Sequence, residues 1–471
     1  MTTLAAFVAY TLSNRAKSGV PLDGPSGTAL PTMPSYSLST QVAYNLGAYA
    51  ARYVVPGPIS TEVPSGCTVS MINILQRHGA RYPTEDAAGA IQSALSKARS
   101  AHNITDKSLK FVPRFSYPNM TEQLVPFGRN QSYISGRIIA AKYAALENSI
   151  FVRSAPLHRV FESSRWWRQG FEGGSFNVSI PSLPEPDLVI LVANNTLNVT
   201  TCTAAEKLSP KPGHVKSQEW IAQFVPDITK HLNHHLHGAN LDNEDTLSLM
   251  SLCGFDTAFR NGSASPWCGV FNATDFENYE YFVDLSEYYS NSYGSQYAPS
   301  EGVGWVNELI SRLTGWPVYD HTSTDSTLDS SQSTFPYGPS APKIFADFSS
   351  DNNIDKILSA LGILRDNTEL PPSGPIPTNR QFYVSRIVPF AGSTVVEKLN
   401  CSETSSRPAG DYVRILVNDA VVTQNSSYCH PWGTAEGLCP LGGFLNSQAF
   451  AVSGGNWTSC FSNNTQDAGA L

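Results

Sequence analysis

Residues Thr68 to Leu75 read Thr-Val-Ser-Met-Ile-Asn-Ile-Leu, a β-branched, nearly continuous apolar run of strand length. A run of that kind has to be covered on both faces, the situation of a central strand in a parallel sheet flanked by helices. Arg77-His78-Gly79-Ala80-Arg81-Tyr82-Pro83 follows almost at once, and from Thr84 the pattern turns helical. Thr84 is placed as an N-cap, Glu85 and Asp86 fall in the first turn, and Ala88, Ile91, Leu95 and Ala98 share one face. Strand, loop and helix make the first half of a βαβ unit. Ligands of open α/β sheets sit at the carboxyl ends of strands, which is where this loop falls.

Two further units of the same kind are predicted. Phe151-Val152-Arg153-Ser154 precedes Pro156, which opens a helix running to about Gly170. Ile344, Ala346 and Phe348 alternate, Ser349-Ser350-Asp351 turns the chain, and Ile354, Ile357, Leu358 and Leu361 form a helical stripe ending at Gly362. The fold class is therefore α/β with a mostly parallel sheet, built from residues 67–154 and 301–471. Residues 155–300 are mostly helical in pattern and read as an inserted smaller helical domain. Residues 1–66 read as a signal-like segment followed by an extended arm, because 18–66 is rich in Pro, Gly, Ser and Tyr without periodicity. No internal repeat or coiled coil is found.

The loop after Leu75 carries the chemistry. It sets an imidazole, His78, between the permanent cations Arg77 and Arg81, and Gly79 allows the backbone to come close to a ligand. Nearby guanidinium groups disfavour a charged imidazole, so a histidine here stays neutral and nucleophilic in mildly acidic conditions, while planar arginine forks clamp phosphate oxygens. Phosphoryl transfer to a side chain also needs an acid for the departing alcohol. A net charge of -8 argues against a general nucleic-acid binder, so any phosphate affinity is local.

Eight cysteines with no CxxC pair, together with about a dozen Asn-x-Ser/Thr sequons, point to a secreted, glycosylated, disulfide-bonded protein. Spacing alone permits about 105 pairings, although Cys253 with Cys268 and Cys429 with Cys439 look like local loop staples. Leu4 to Leu12 reads as an atypical signal peptide, with no basic residue before it. It is too short to span a bilayer, and no other stretch is long enough, so no membrane partner is expected.

Taken with Val125-Pro126-Phe127-Gly128, Gly302-Val303-Gly304-Trp305-Val306-Asn307-Glu308-Leu309, Leu328-Asp329-Ser330-Ser331 and Phe345 to Asn352, the motif resembles the histidine acid phosphatases of the branch that includes fungal phytases. These are relatives of the phosphoglycerate mutases, and the resemblance covers about Cys67 to Cys460. It implies that His78 attacks phosphorus, that Arg77, Arg81 and Arg153 hold the phosphate, and that Asp351 protonates the leaving oxygen. It further implies the disulfides Cys67 with Cys401, Cys202 with Cys460, Cys253 with Cys268 and Cys429 with Cys439, and no metal or other cofactor. The implied partner is a small phosphorylated substrate, phytate or another phosphomonoester; oligomeric state is not indicated.

Two positions depart from the family. Its His-Asp pair reads Ser350-Asp351 here, which replaces a charged phosphate contact by a shorter hydroxyl donor and motivates the alternative of a weak or inactive glycoprotein that binds phosphorylated ligands. Lysines of phytate-preferring relatives are replaced at Glu85-Asp86-Ala87-Ala88 and Ser286-Glu287, which predicts a broader or different monoester preference. A phosphomutase shares the chemistry but is cytosolic, against the cysteines and sequons. His231, His234, His235 and His237 cluster at helical spacing, yet no carboxylate completes a ligand set in that stretch, so metal binding is not expected there. Trp166-Trp167 and Tyr288-Tyr289 read as packing.

Overall fold

In the computed structural model, which describes residues 30–146, 149–177, 182–424 and 426–462, the apolar run becomes strand β1 (Cys67–Arg77). Every residue from Ile72 to Arg77 is buried, as continuous apolar character requires. The chain divides into Met1–Leu30 and Pro31–Leu471, and all the described elements belong to the second unit. The signal-like run at Leu4 to Leu12 lies outside the described residues.

The remaining strands are β2 (Asn103–Ile104), β3 (Ile150–Ser154), β4 (Leu188–Val189), β5 (Leu236–His237), β6 (Ile344–Ser349), β7 (Ser393–Cys401), β8 (Gly410–Val417), β9 (Ala420–Val421) and β10 (Leu438–Pro440). The helices longer than two turns are α1 (Glu85–Arg99), α2 (Pro126–Lys142), α3 (His158–Phe171), α4 (Pro212–His235), α5 (Asn243–Phe259), α6 (Ala273–Asn291), α7 (Val303–Thr314) and α8 (Asp351–Leu361).

The main sheet runs β10-β8-β7-β1-β6-β3-β4, with β9 beside β8. The block β1-β6-β3-β4 is parallel, and from β7 outward the sheet continues antiparallel. Strand β1 is thus parallel to its neighbour on one side only. Parallel pairing puts Arg77 level with Ser349 and Phe348 level with Ser154, so the loops leaving β1, β6 and β3 emerge side by side. The amide of His78 donates to the carbonyl of Ser349 (3.3 Å) and that of Ala155 to the carbonyl of Phe348 (3.1 Å), which carries the alignment past the strand ends.

Helix α1 starts after Thr84, whose side chain makes no capping bond, and it buries Ala88, Ile91, Ala94, Leu95 and Ala98. Helix α8 ends at Gly362 in the left-handed region (φ 74°), the conformation glycine adopts without a Cβ penalty. The helix after β3 opens at His158, two residues later than the sequence pattern placed it. Part of the supposed arm is core: Leu46, Ala48, Ala50, Ala51 and Arg52 are buried, and Ala51 bridges to Phe390. Trp167 is buried against Phe171 and Phe348, and Tyr288 and Tyr289 are buried too. Disulfides join Cys67 to Cys401, Cys202 to Cys460, Cys253 to Cys268 and Cys429 to Cys439. Among the described residues, no helix is long and apolar enough to cross a membrane.

Helix α2 crosses the loop after β1 backbone to backbone. A Cβ on Gly79 would lie 2.1 Å from the carbonyl oxygen of Gly128, and one on Gly128 would lie 2.0 Å from that of Ala80. Gly79 therefore serves contact with a helix, where the sequence suggested contact with a ligand. Gly128→Ala is expected to cost about 1–3 kcal/mol or more through overpacking against the loop that carries His78, read as a lower midpoint in urea unfolding.

Candidate active site

His78 is fully buried at the carboxyl end of β1. Its Nδ1 lies 2.9 Å from the carbonyl oxygen of Gly79. A carbonyl only accepts, so Nδ1 carries the proton and the lone pair resides on Nε2. Nε2 is buried and has no hydrogen-bond partner among the described residues. Burial, then the positive charges of Arg77 and Arg81, hold the imidazole pKa well below its usual value, against an opposing pull from Asp351. The result is a neutral imidazole with a free nucleophilic nitrogen.

Three guanidinium groups act on that nitrogen. Arg77 is fixed by the carbonyls of Ala48 and Val388 (2.7 Å to the latter), by Asp351 Oδ2 at 2.5 Å, and by the ring of Phe390 4.7 Å beneath its Cζ. Arg81 is buried and donates to the carbonyl of Tyr82 at 2.9 Å. The third is Arg159, in the first turn of α3, whose charge is felt by both His78 and Asp351. Arg159 is paired with Glu122, a residue held at φ 64° in a turn. Burial would raise the carboxyl pKa of Asp351, but the permanent charges of Arg77, Arg81 and Arg159 outweigh it and hold the group far below the usual carboxylate range.

Arg153, for which the resemblance implied phosphate binding, is committed elsewhere. It is buried, with Nε and Nη2 each 2.8 Å from a different oxygen of Asp347 and with Nη1 and Nη2 at 3.1 and 2.6 Å from Glu308. Arg312 and the indole of Trp305 also donate to Asp347. Four of the five guanidinium N–H groups of Arg153 are thus taken by two carboxylates beneath the sheet end. Arg159 lies outside the residues that the sequence singles out, because a place in the first helical turn after β3 does not by itself distinguish it from Arg153. Ser350 is the N-cap of α8, but its hydroxyl makes no capping bond.

Acids stand behind Asp351. Asp355, one turn further along α8, is buried, and neither carboxyl oxygen has a hydrogen-bond partner among the described residues. Burial first, then Glu287 and Asp351, raises its pKa well above the ordinary carboxylate value. Glu287 on α6 accepts from Asn291 at 2.8 Å, and burial together with the charge of Asp351 pushes its pKa up to about 7.

Fixed cations around a proton-free imidazole nitrogen suit one chemistry, transfer of a phosphoryl group from an alcohol oxygen. Fold and site define a phosphoric monoester hydrolase of the histidine acid phosphatase kind. The chain belongs to the histidine phosphatase superfamily, branch 2, whose family model matches residues 68–418. It is 33% identical to Phytase A of Neurospora crassa over 90% of this chain and 93% of that protein. Against Phytase A of Aspergillus terreus it is 32% identical over 97% and 99%. The fold is also that of the crystal structure of the phytase from D. castellii, at TM-score 0.71 and 22% identity, covering 90% of this chain and 88% of that one. These relatives lend no support to the alternative of a protein that binds without turnover.

The two arginines separate cleanly by experiment. Arg153→Ala leaves Asp347 and Glu308 short of a buried counter-charge and is expected to lower unfolding free energy by about 3–5 kcal/mol. Arg159→Ala is expected to leave the unfolding free energy within about 1 kcal/mol of the wild type while lowering kcat/KM for p-nitrophenyl phosphate by about a hundredfold or more. Equal loss of stability in both variants would contradict this division of labour.

Proposed function

We propose that the protein hydrolyses small phosphomonoesters through a phosphohistidine on His78, with Arg77, Arg81 and Arg159 around the phosphoryl oxygens and Asp351 as the acid. The observation that carries this reading is the buried, unprotonated and unpartnered Nε2 of His78. Nε2 forms a bond to phosphorus as the bond to the alcohol oxygen breaks, and Asp351 gives that oxygen a proton. Water, losing a proton to Asp351, then cleaves the P–N bond and releases phosphate.

Asp351 is ionised in the free protein because it is paired with Arg77. A phosphate ester entering the site competes for the same guanidinium groups and adds negative charge, and both effects raise the carboxyl pKa. The acid thus gains its proton on substrate binding, which favours turnover in mildly acidic medium. The hydroxyl of Ser350, which makes no capping bond, lies at the N-terminus of α8, a place suited to phosphate oxygens. Arg153 is assigned to holding Asp347 and Glu308, and through them the end of β6.

The relatives' name, phytase, supports inositol polyphosphates as one substrate class. Glu85-Asp86-Ala87-Ala88 and Ser286-Glu287 stand where phytate-preferring relatives carry lysines, and the missing positive charge supports a broader preference in which less heavily charged monoesters compete well. Four disulfides and sequons at exposed Asn103, Asn119, Asn261, Asn272 and Asn456 support secretion.

Incubation with a radiolabelled ester and an alkaline quench is expected to place label on the peptide containing His78, and on no peptide of His78→Ala, which releases no phosphate. A folded wild type that frees no phosphate from p-nitrophenyl phosphate or phytate between about pH 3 and 7 sinks the proposal. The pH dependence has a defined sign: Glu287 is neutral below about 7 and negative above it. Its ionisation adds repulsion toward a phosphate dianion, so kcat/KM should fall as pH rises through that value, and Glu287→Gln should flatten this limb.

A further inference from the structure

The histidines at the end of α4 do acquire a carboxylate, but from a distant part of the chain. Residues Asp106, His231 and His235 each offer a ligand atom, and these atoms lie within 4.8 Å of one another. His231 and His235 are one helical turn apart, the spacing that sets two imidazoles on the same face of a helix. Helix α4 runs straight into β5, and β5 pairs with β2 in a two-stranded ladder, Leu236 with Ile104 and His237 with Asn103. That ladder fixes the segment carrying Asp106 against the end of α4, and the amide of Thr105 extends it by donating to the carbonyl of His235 at 3.1 Å.

The surroundings prepare the three groups for a cation. Asp106 Oδ1 accepts from the backbone amide of Ser108 at 2.7 Å and from its hydroxyl at 2.8 Å, which orients the carboxylate and leaves Oδ2 free of both. Thr105 Oγ1 lies 2.7 Å from Nδ1 of His235. With the hydroxyl accepting, Nδ1 holds the proton and Nε2 keeps the lone pair that a metal takes, the role an outer partner plays for a metal-bound histidine.

We propose that Asp106, His231 and His235 form a binding site for a borderline divalent transition-metal ion, best matched by Zn2+, separate from the phosphatase chemistry. Two imidazoles and one carboxylate suit Zn2+ over Ca2+ and Mg2+, since those ions prefer oxygen donors throughout. Tetrahedral Zn2+ with bonds of about 2.0–2.2 Å places its ligand atoms about 3.3 Å apart, which small side-chain rotations reach from the observed spacing. His231 is exposed and Asp106 and His235 are partly exposed, so the ion has direct access and water completes its coordination. Binding would tie the end of α4 to the segment after β2.

The test is calorimetric titration of tag-free, EDTA-treated full-length protein with ZnCl2 at about pH 7.5, where imidazoles are neutral enough to ligate. One ion per chain is expected, with no displacement by excess Ca2+. His235→Ala and Asp106→Asn, the latter keeping an acceptor for Ser108, should each weaken binding by about tenfold or more. His234→Ala should not. Circular dichroism and phosphatase activity of each variant establish that it is folded, and neither is expected to change. Co2+ in place of Zn2+ should give visible bands of tetrahedral intensity that disappear in His231→Ala. Absence of stoichiometric binding to the wild type, or binding retained in His235→Ala and lost in His234→Ala, overturns the proposal.

Discussion

The guanidinium group of Arg77 joins four parts of the chain at the carboxyl end of β1. Its donors reach the carbonyls of Ala48 and Val388 and the carboxylate of Asp351, and Phe390 lies beneath it. One buried cation therefore connects the N-terminal segment, the end of β1, the turn before β7 and the first residue of α8. A buried arginine needs its charge paired and most of its donors taken, so these four parts are held in one arrangement. Next to it, burial first and then the same charge disfavour the protonated form of His78.

Charge is sorted in two layers at the strand ends. In the lower layer Arg153 and Arg312 face Asp347 and Glu308, all buried and all paired within the protein. In the upper layer Arg77, Arg81 and Arg159 outnumber Asp351 and Glu122, which leaves net positive charge where a phosphate would sit. The lower set fixes the sheet end; the upper set is incomplete without an anion. Sequence alone cannot tell these layers apart, because an arginine in a strand and one in the following turn are both simply arginines near a motif.

Much of the site was readable along the chain. Strand β1, its loop, and the Ser350-Asp351 turn before α8 each announced themselves through local pattern: apolar continuity, a cation-flanked histidine, and a helical stripe ending in glycine. The choice between Arg153 and Arg159 was not readable, since it depends on Asp347 and Glu308 capturing the first of them across the sheet. Likewise His231 and His235 lacked a visible carboxylate because Asp106 reaches them only through the β2–β5 ladder.

What the sequence by itself determined is the set of local units, strand followed by loop followed by helix, because hydrophobic period and capping act over a few neighbouring residues. Tertiary structure alone decided which charges pair. Ion pairing depends on distance and burial between residues far apart in the chain, such as Arg77 with Asp351 or Arg153 with Glu308, and those are set only when parallel register brings the strand ends level.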